Sequence, residues 1–147
     1  MSTDIRISAR RTLEEIFPAA DTEALAEVVH ADVVNHELPP GLPQGLQGIQ
    51  QVMLWLHRAF ADLRYDIHKV IAEGDIAVVY CTMHGRHVGE FMGVPPTHRS
   101  VAVEQVHIVR FQNGKGIEHW AVRDDLLLMR QLCALPTEHP AATGEVK

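Results

Sequence analysis

The hydrophobic period of the chain changes once, near Leu63, and that change restricts the fold more than any motif does. From Leu46 to Leu63, the residues Ile49, Val52, Met53, Leu56 and Phe60 recur at i, i+3, i+4, i+7 and i+11, the single stripe of a long helix. Upstream, Ile5, Ala9, Leu13 and Ile16 keep helical spacing between Thr3 and Phe17, and Asp21 is placed to cap a second short helix carrying Leu25, Val28 and Val29. Downstream, Tyr65 to Ala72, Ile76 to Val88, Ser100 to Phe111 and Gly116 to Asp124 read as strands, joined at Glu73-Gly74-Asp75, at FMGVPPTH and at Gln112-Asn113-Gly114. A β-branched stretch from Asp32 to Glu37 precedes LPPGLPQG, whose prolines and glycines exclude regular structure. A last helix is expected over Asp125 to Leu132. Helices followed by a meandering antiparallel sheet define an α+β domain, with the helices against one sheet face.

Length and composition fit that outline. A chain of 147 residues, 46% hydrophobic and 22% charged, has the size and balance of one globular domain and can bury roughly 70% of the surface its unfolded form exposes. The expected domain spans residues 1–135, with 136–147 a polar, mobile tail. No apolar run approaches the ~18 residues a membrane span needs, and MSTDIRISARR lacks a signal-like apolar segment. A cytoplasmic protein without membrane contact is expected. The net charge of −6 and scattered basic residues argue against nucleic acid as a partner. Cys81 and Cys133 form no disulfide framework or zinc spacing, and His84-x-x-His87 and the His107 to His119 interval match no standard metal pattern. No metal is expected.

The turn between the last two strands sets their chemistry. With a two-residue Asn113-Gly114 turn, His107 would face Trp120; with a three-residue loop, it would face His119. Side-chain character favours the three-residue loop. That register gathers Val101, Val103, Gln105, His107, Val109 and Phe111 on one face with Ile117, His119, Ala121 and Arg123. The face is an apolar wall interrupted by Gln105, His107 and His119. Its reverse mixes charge with Val106, Ile108, Trp120 and Val122, which suits a subunit interface. Histidine exchanges protons near neutrality, so two facing histidines could divide acid and base roles, or could simply be hydrogen-bonded pocket-edge residues.

The run GRHVGEFMGVPPTHRSVAVEQVHIVRFQNGKGIEHWAVRDDLLLMRQL resembles the SnoaL-like polyketide cyclase family, through Gly85-Arg86-His87-Val88-Gly89, Met92-Gly93-Val94-Pro95-Pro96-Thr97, Gln105-Val106-His107, Asn113-Gly114-Lys115 and Arg130-Gln131-Leu132. The likeness continues upstream through His30 to Asn35 and the long helix. It implies an NTF2-like cone: a curved mixed or antiparallel sheet wrapped on about three helices around an apolar pocket. It also implies cofactor-free aldol ring closure of a polyketide-like hydrophobic small molecule. An acid-base group takes a proton from a carbon between carbonyls, and polar groups stabilise the enolate. Carried onto this chain, His107 and His119 are the catalytic candidates. Asn35, Gln105, Ala121, His87, Phe91, Met92 and Trp55 are expected to contact substrate, and a homodimer or higher homo-oligomer is expected.

One departure stands out. Where the family's best-known cyclases carry an acid-base aspartate, this chain has Ala121; Asp124 has the wrong parity for the inner face unless a bulge intervenes, and Asp125 is expected to cap the final helix. Three readings are open: a histidine has taken over proton transfer, the pocket guides closure by conformation alone, or the protein binds a hydrophobic molecule without catalysis. A different reaction of the same fold, such as isomerisation or hydration, is a further alternative. Cys133, in place of the glycine that usually ends RQLG, is expected to lengthen or fray the last helix.

Overall fold

The computed structural model describes residues 4–133; the expected tail lies outside them. Helix α1 (Ile5–Arg11) starts where the Asp4 carboxylate accepts the Arg6 N–H, and runs through a π-helical turn (Thr12–Ile16) into the short α2 (Phe17–Ala19). Helix α3 (Thr22–Val28) is capped by Asp21, whose side chain accepts the Ala24 N–H at 3.0 Å. Strand β1 (Val29–Asn35) follows directly, and the proline-rich segment leads to α4 (Leu46–Ala59). The sheet is completed by β2 (Phe60–Glu73), β3 (Ile76–His87), β4 (Ser100–Gln112) and β5 (Lys115–Arg123), and α5 (Asp125–Gln131) closes the described chain.

The five strands form one sheet in the order β1-β5-β4-β3-β2, antiparallel except for β1, which runs parallel to β5. β-Bulges interrupt the ladders between Ala61 and Arg64, between Ile67 and Lys69 and at the Arg110/Phe111 step. Each adds local twist and bends its strand, and together they curve the sheet around α1, α3 and α4. The alternation of burial along β3, with Ala77, Val79, Cys81 and Met83 inside, shows which side is concave.

Three sequence expectations are corrected here. The long helix stops at Ala59, four residues early, because Phe60 turns extended and pairs with His87 while the Val88 and Gly89 N–H groups donate to Ala59 O. Phe60 fits both the helical stripe and the buried strand parity, so its spacing alone could not place the boundary. Asp124, not Asp125, caps α5, its carboxylate accepting the Leu127 N–H at 3.1 Å. Cys133 neither lengthens nor frays that helix: it adopts φ 62, and its N–H donates to Arg130 O, closing the helix as a left-handed residue.

Candidate active site

The β4–β5 hairpin departs from both anticipated registers. Asn113 and Gly114 take φ 53 and 81, both left-handed, as a two-residue turn requires, and Gln112 pairs with Lys115. A bulge then inserts one residue at Ile117. His107 therefore lies opposite Ala121, and His119 opposite Val109. The turn shifts the register by one and the bulge restores the parity, so Gln105, His107, His119 and Arg123 still share the inner face. Gly116, rather than Ile117, joins it beside Phe111, where an added Cβ would lie 2.9 Å from the Val109 side chain.

The diagonal offset produces a continuous row of polar contacts. Asn35 Oδ1 lies 2.8 Å from His119 Nδ1, His119 Nε2 lies 3.0 Å from His107 Nδ1, and His107 Nε2 lies 2.8 Å from Gln105 Oε1. Asn35 itself is fixed: its backbone N–H donates to Gln44 Oε1, the Gln44 amide donates back to Asn35 O, and its Oδ1 accepts the Glu37 N–H. Proton positions follow from that anchoring. His119 donates from Nδ1 to Asn35. A carbonyl at the Gln105 end likewise asks His107 to donate from Nε2, leaving two bare nitrogens face to face, a gap that one extra proton fills. Gln105 is otherwise tethered only through its amide N–H to Met83 Sδ at 3.6 Å. Turned over, its amide donates to His107 Nε2 and the row is complete with neutral imidazoles. The row thus accommodates two protonation states that differ by one proton and one amide flip.

Electrostatics select the neutral state at pH 7. Burial pushes His107 well below its usual value, with His119 and Arg123 adding to the effect. Burial, with the charges of Arg123 and His36, lowers His119 to about 4. Tyr65 is held as a neutral phenol, burial raising its pKa strongly.

The row lines one end of a cavity of about 590 Å³, whose other walls are mostly apolar and include Leu13, Val28, Ile49, Leu56, Val79 and Leu128. The size suits a drug-sized hydrophobic ligand. Of the residues expected at the pocket, Asn35, Gln105, His107, His119, Trp55, Phe91 and Met92 line it. Trp55 and Phe91 stack with centroids 4.8 Å apart, and Met92, 58% exposed, stands at the rim.

Two expected residues are placed differently. His87 is fully buried but does not line the cavity: its Nδ1 accepts from the Thr97 N–H and hydroxyl, and its backbone bonds Arg99 and His98, clamping the loop between β3 and β4. Ala121 shares the sheet face with His107 but is too short to line the cavity. Sequence reasoning gave no pocket role to Tyr65 or Glu37, expected Asp125 only as a helix cap and placed Arg123 on the inner face without a function; all four line the cavity. Arg123 has the same parity as His119 in β5, so its signal was present in the alternation, whereas Glu37 lies in the turn that follows β1. Among the described residues, no group of three or more His, Cys, Asp or Glu side chains is arranged to hold a metal ion, and no helix is long and apolar enough to cross a membrane.

A curved mixed sheet closed by helices around an apolar cavity with one polar end defines the NTF2-like cone. Residues 7–132 match the SnoaL-like polyketide cyclase family, and the chain belongs to that family. It is 31% identical to nogalonic acid methyl ester cyclase of Streptomyces nogalater, over 79% of this chain and 88% of that one. It is 29% identical to an aklanonic acid methyl ester cyclase of Streptomyces peucetius, over 90% and 92% of the two chains. Among solved structures, TsrD from Streptomyces laurentii superposes with a TM-score of 0.82 at 27% identity, covering 89% of this chain and 96% of that chain.

Proposed function

We propose that this protein catalyses cofactor-free, aldol-type ring closure of a polyketide-like small molecule, with the His107–His119 pair moving the proton. The observation that carries the reading is the polar row itself: two neutral imidazoles 3.0 Å apart, ended by two amides, at the polar end of an otherwise apolar cavity. The names of the related cyclases support the reaction class.

In this reading the neutral row accepts a proton from a carbon flanked by two carbonyls. His107 Nε2 becomes protonated as the Gln105 amide turns its oxygen inward. The carbanion attacks a second carbonyl, forming the carbon–carbon bond, and the same proton returns to the new alkoxide. The depressed proton affinity of the pair makes it a weak base but a strong acid for the return step, so it suits an acidic 1,3-dicarbonyl carbon. Tyr65, held neutral, offers a hydroxyl donor toward the cavity for developing enolate charge. The apolar walls hold a flexible chain folded and exclude water. Ala121 leaves the space that a carboxylate would occupy beside His107.

The test is turnover of an open-ring polyketide methyl ester by the wild type, His107→Ala and Ala121→Asp, followed by chromatography. Ring closure by the wild type that collapses in His107→Ala is the expected result. An inert wild type that gains activity with Ala121→Asp would sink the reading and leave a ligand-binding protein. The proposal includes a homodimer through the outer sheet face, where Val34 and Val122 stand exposed beside the stacked His36 and Trp120 rings.

A further inference from the structure

Arg123 is the one arginine or lysine among the described residues that lines the cavity, and the proposed proton transfer does not use it. It lies opposite Gln105 on the inner face and lines the cavity. Its recorded partner among the described residues is Glu37, through a single long contact of 3.5 Å from Nη1. A guanidinium has five N–H donors arranged as a fork, and one contact at that length occupies little of it. The group is partly buried, its side chain 28% exposed, and it faces the cavity near His107 and His119, whose proton affinity its charge helps to lower.

We propose that Arg123 is an anion clamp for the substrate, and that the pocket takes a ligand bearing a free carboxylate rather than a neutral ester. This rests on the cavity being the reaction site. The placement gives the clamp a purpose. Arg123 leaves the sheet beside Gln105, and Gln105 is the residue that ends the histidine row at His107 Nε2. A carboxylate held by Arg123 sets the neighbouring carbon atoms of the ligand over that end of the row. An ester carbonyl accepts a hydrogen bond but brings no charge to the guanidinium, which then keeps only its long contact with Glu37, whereas a carboxylate matches the fork with two charge-assisted bonds. Glu37 holds the guanidinium in place in the empty pocket and yields to the ligand. The relatives named above are cyclases of methyl esters, so the inference sets this chain's substrate apart from theirs by one ionised group.

Anthraquinone-2-carboxylic acid and its methyl ester test it, since both are flat aromatic ligands that cannot undergo the aldol step. Affinity is read by quenching of tryptophan fluorescence, Trp55 being part of the cavity wall, and checked by calorimetry. The wild type is expected to bind the acid about tenfold or more tightly than the ester, a difference of about 1.4 kcal/mol. Arg123→Gln is expected to remove the preference while keeping the ester affinity, and Glu37→Gln, which frees the guanidinium, to enlarge it. Arg123→Lys keeps charge without the fork and retains part of the preference; thermal melts confirm that each variant is folded. Equal affinities in the wild type, a preference that survives Arg123→Gln, a folded Arg123→Lys with none, or binding of neither probe overturns the clamp. Because the probes do not react, acid selectivity without any turnover of polyketide substrates would sink the cyclase reading alone, and turnover without acid selectivity would sink the clamp alone.

Discussion

The histidines of the inner and outer sheet faces sit in opposite settings. On the outer face, His36 donates to Glu118 at 2.7 Å and His84 lies 2.9 Å from Asp66, each paired with a carboxylate near water. On the inner face, His107 and His119 touch each other and two amides, with no carboxylate in the row. Outside, solvent and salt screen the pairs, so they contribute little to stability and offer nothing to a ligand. Inside, burial keeps both rings neutral and leaves a proton-accepting position beside a cavity. Setting, rather than residue type or spacing, decides which histidines can do chemistry.

The largest expected effect tests that distinction directly. His107→Ala should lower kcat for ring closure by about 100-fold or more, while His84→Ala, in the outer pair, leaves kcat and KM unchanged. Equal losses in both variants would break the comparison. The next effect is on stability. His119 has its pKa lowered from 6.5 to about 4. Above pH 6.5 both folded and unfolded states hold it neutral. As the pH falls toward 4, the unfolded chain takes up a proton that the folded chain refuses, so stability declines, by about 3 kcal/mol from this residue by pH 4. His107 acts in the same direction. The Glu118 carboxylate, held low chiefly by Arg110, adds its own loss only below about pH 4.5. Urea titrations at pH 7.5, 6.5, 5.5 and 4.5 therefore isolate the histidines. A flat profile across that range would show that the inner pair is as solvated as the outer ones.

Ala121→Asp makes the inner setting resemble the outer one. An aspartate opposite His107 supplies the missing carboxylate, and its charge should raise the proton affinity of His107 by about a unit. Histidine titration followed by NMR reads the shift, and the acid decline in stability should become shallower. An unmoved His107 would mean that the new carboxylate takes up the proton itself.

Much of this arrangement was legible in the alternation of residues. The period change separated helices from strands, and parity put Gln105, His107, His119 and Arg123 on one face. Parity survives an even error in register, and the turn and the Ile117 bulge together made an even error. What was not legible depended on contacts distant in sequence. The end of α4 is decided by pairing of Phe60 with His87, and the parallel placement of β1 beside β5 brings Asn35 to His119 across 84 positions. His87 could be read as a pocket residue from its motif, because nothing local shows that Thr97 folds back onto its ring. The polar row belongs to the tertiary fold, while each of its members belongs to a strand pattern.

The smallest expected effect concerns the outer face alone. Val122 is 70% exposed there and follows Ala121 in β5, so its side chain points away from the cavity. Burying it against a second copy would remove apolar surface from water, and a lysine in its place would bring two like charges together across a symmetric contact. If the proposed dimer forms through this face, Val122→Lys should convert it to a monomer in light scattering while changing the fold of an isolated chain little, since a solvent-facing strand position tolerates lysine. Ligand affinity in the cavity should stay within twofold of the wild type, by ordinary additivity of distant sites. A dimer that persists puts the contact on another surface. A monomer that also loses ligand affinity would show that the two faces are coupled through β5, and the separation drawn between chemistry inside and assembly outside would no longer hold.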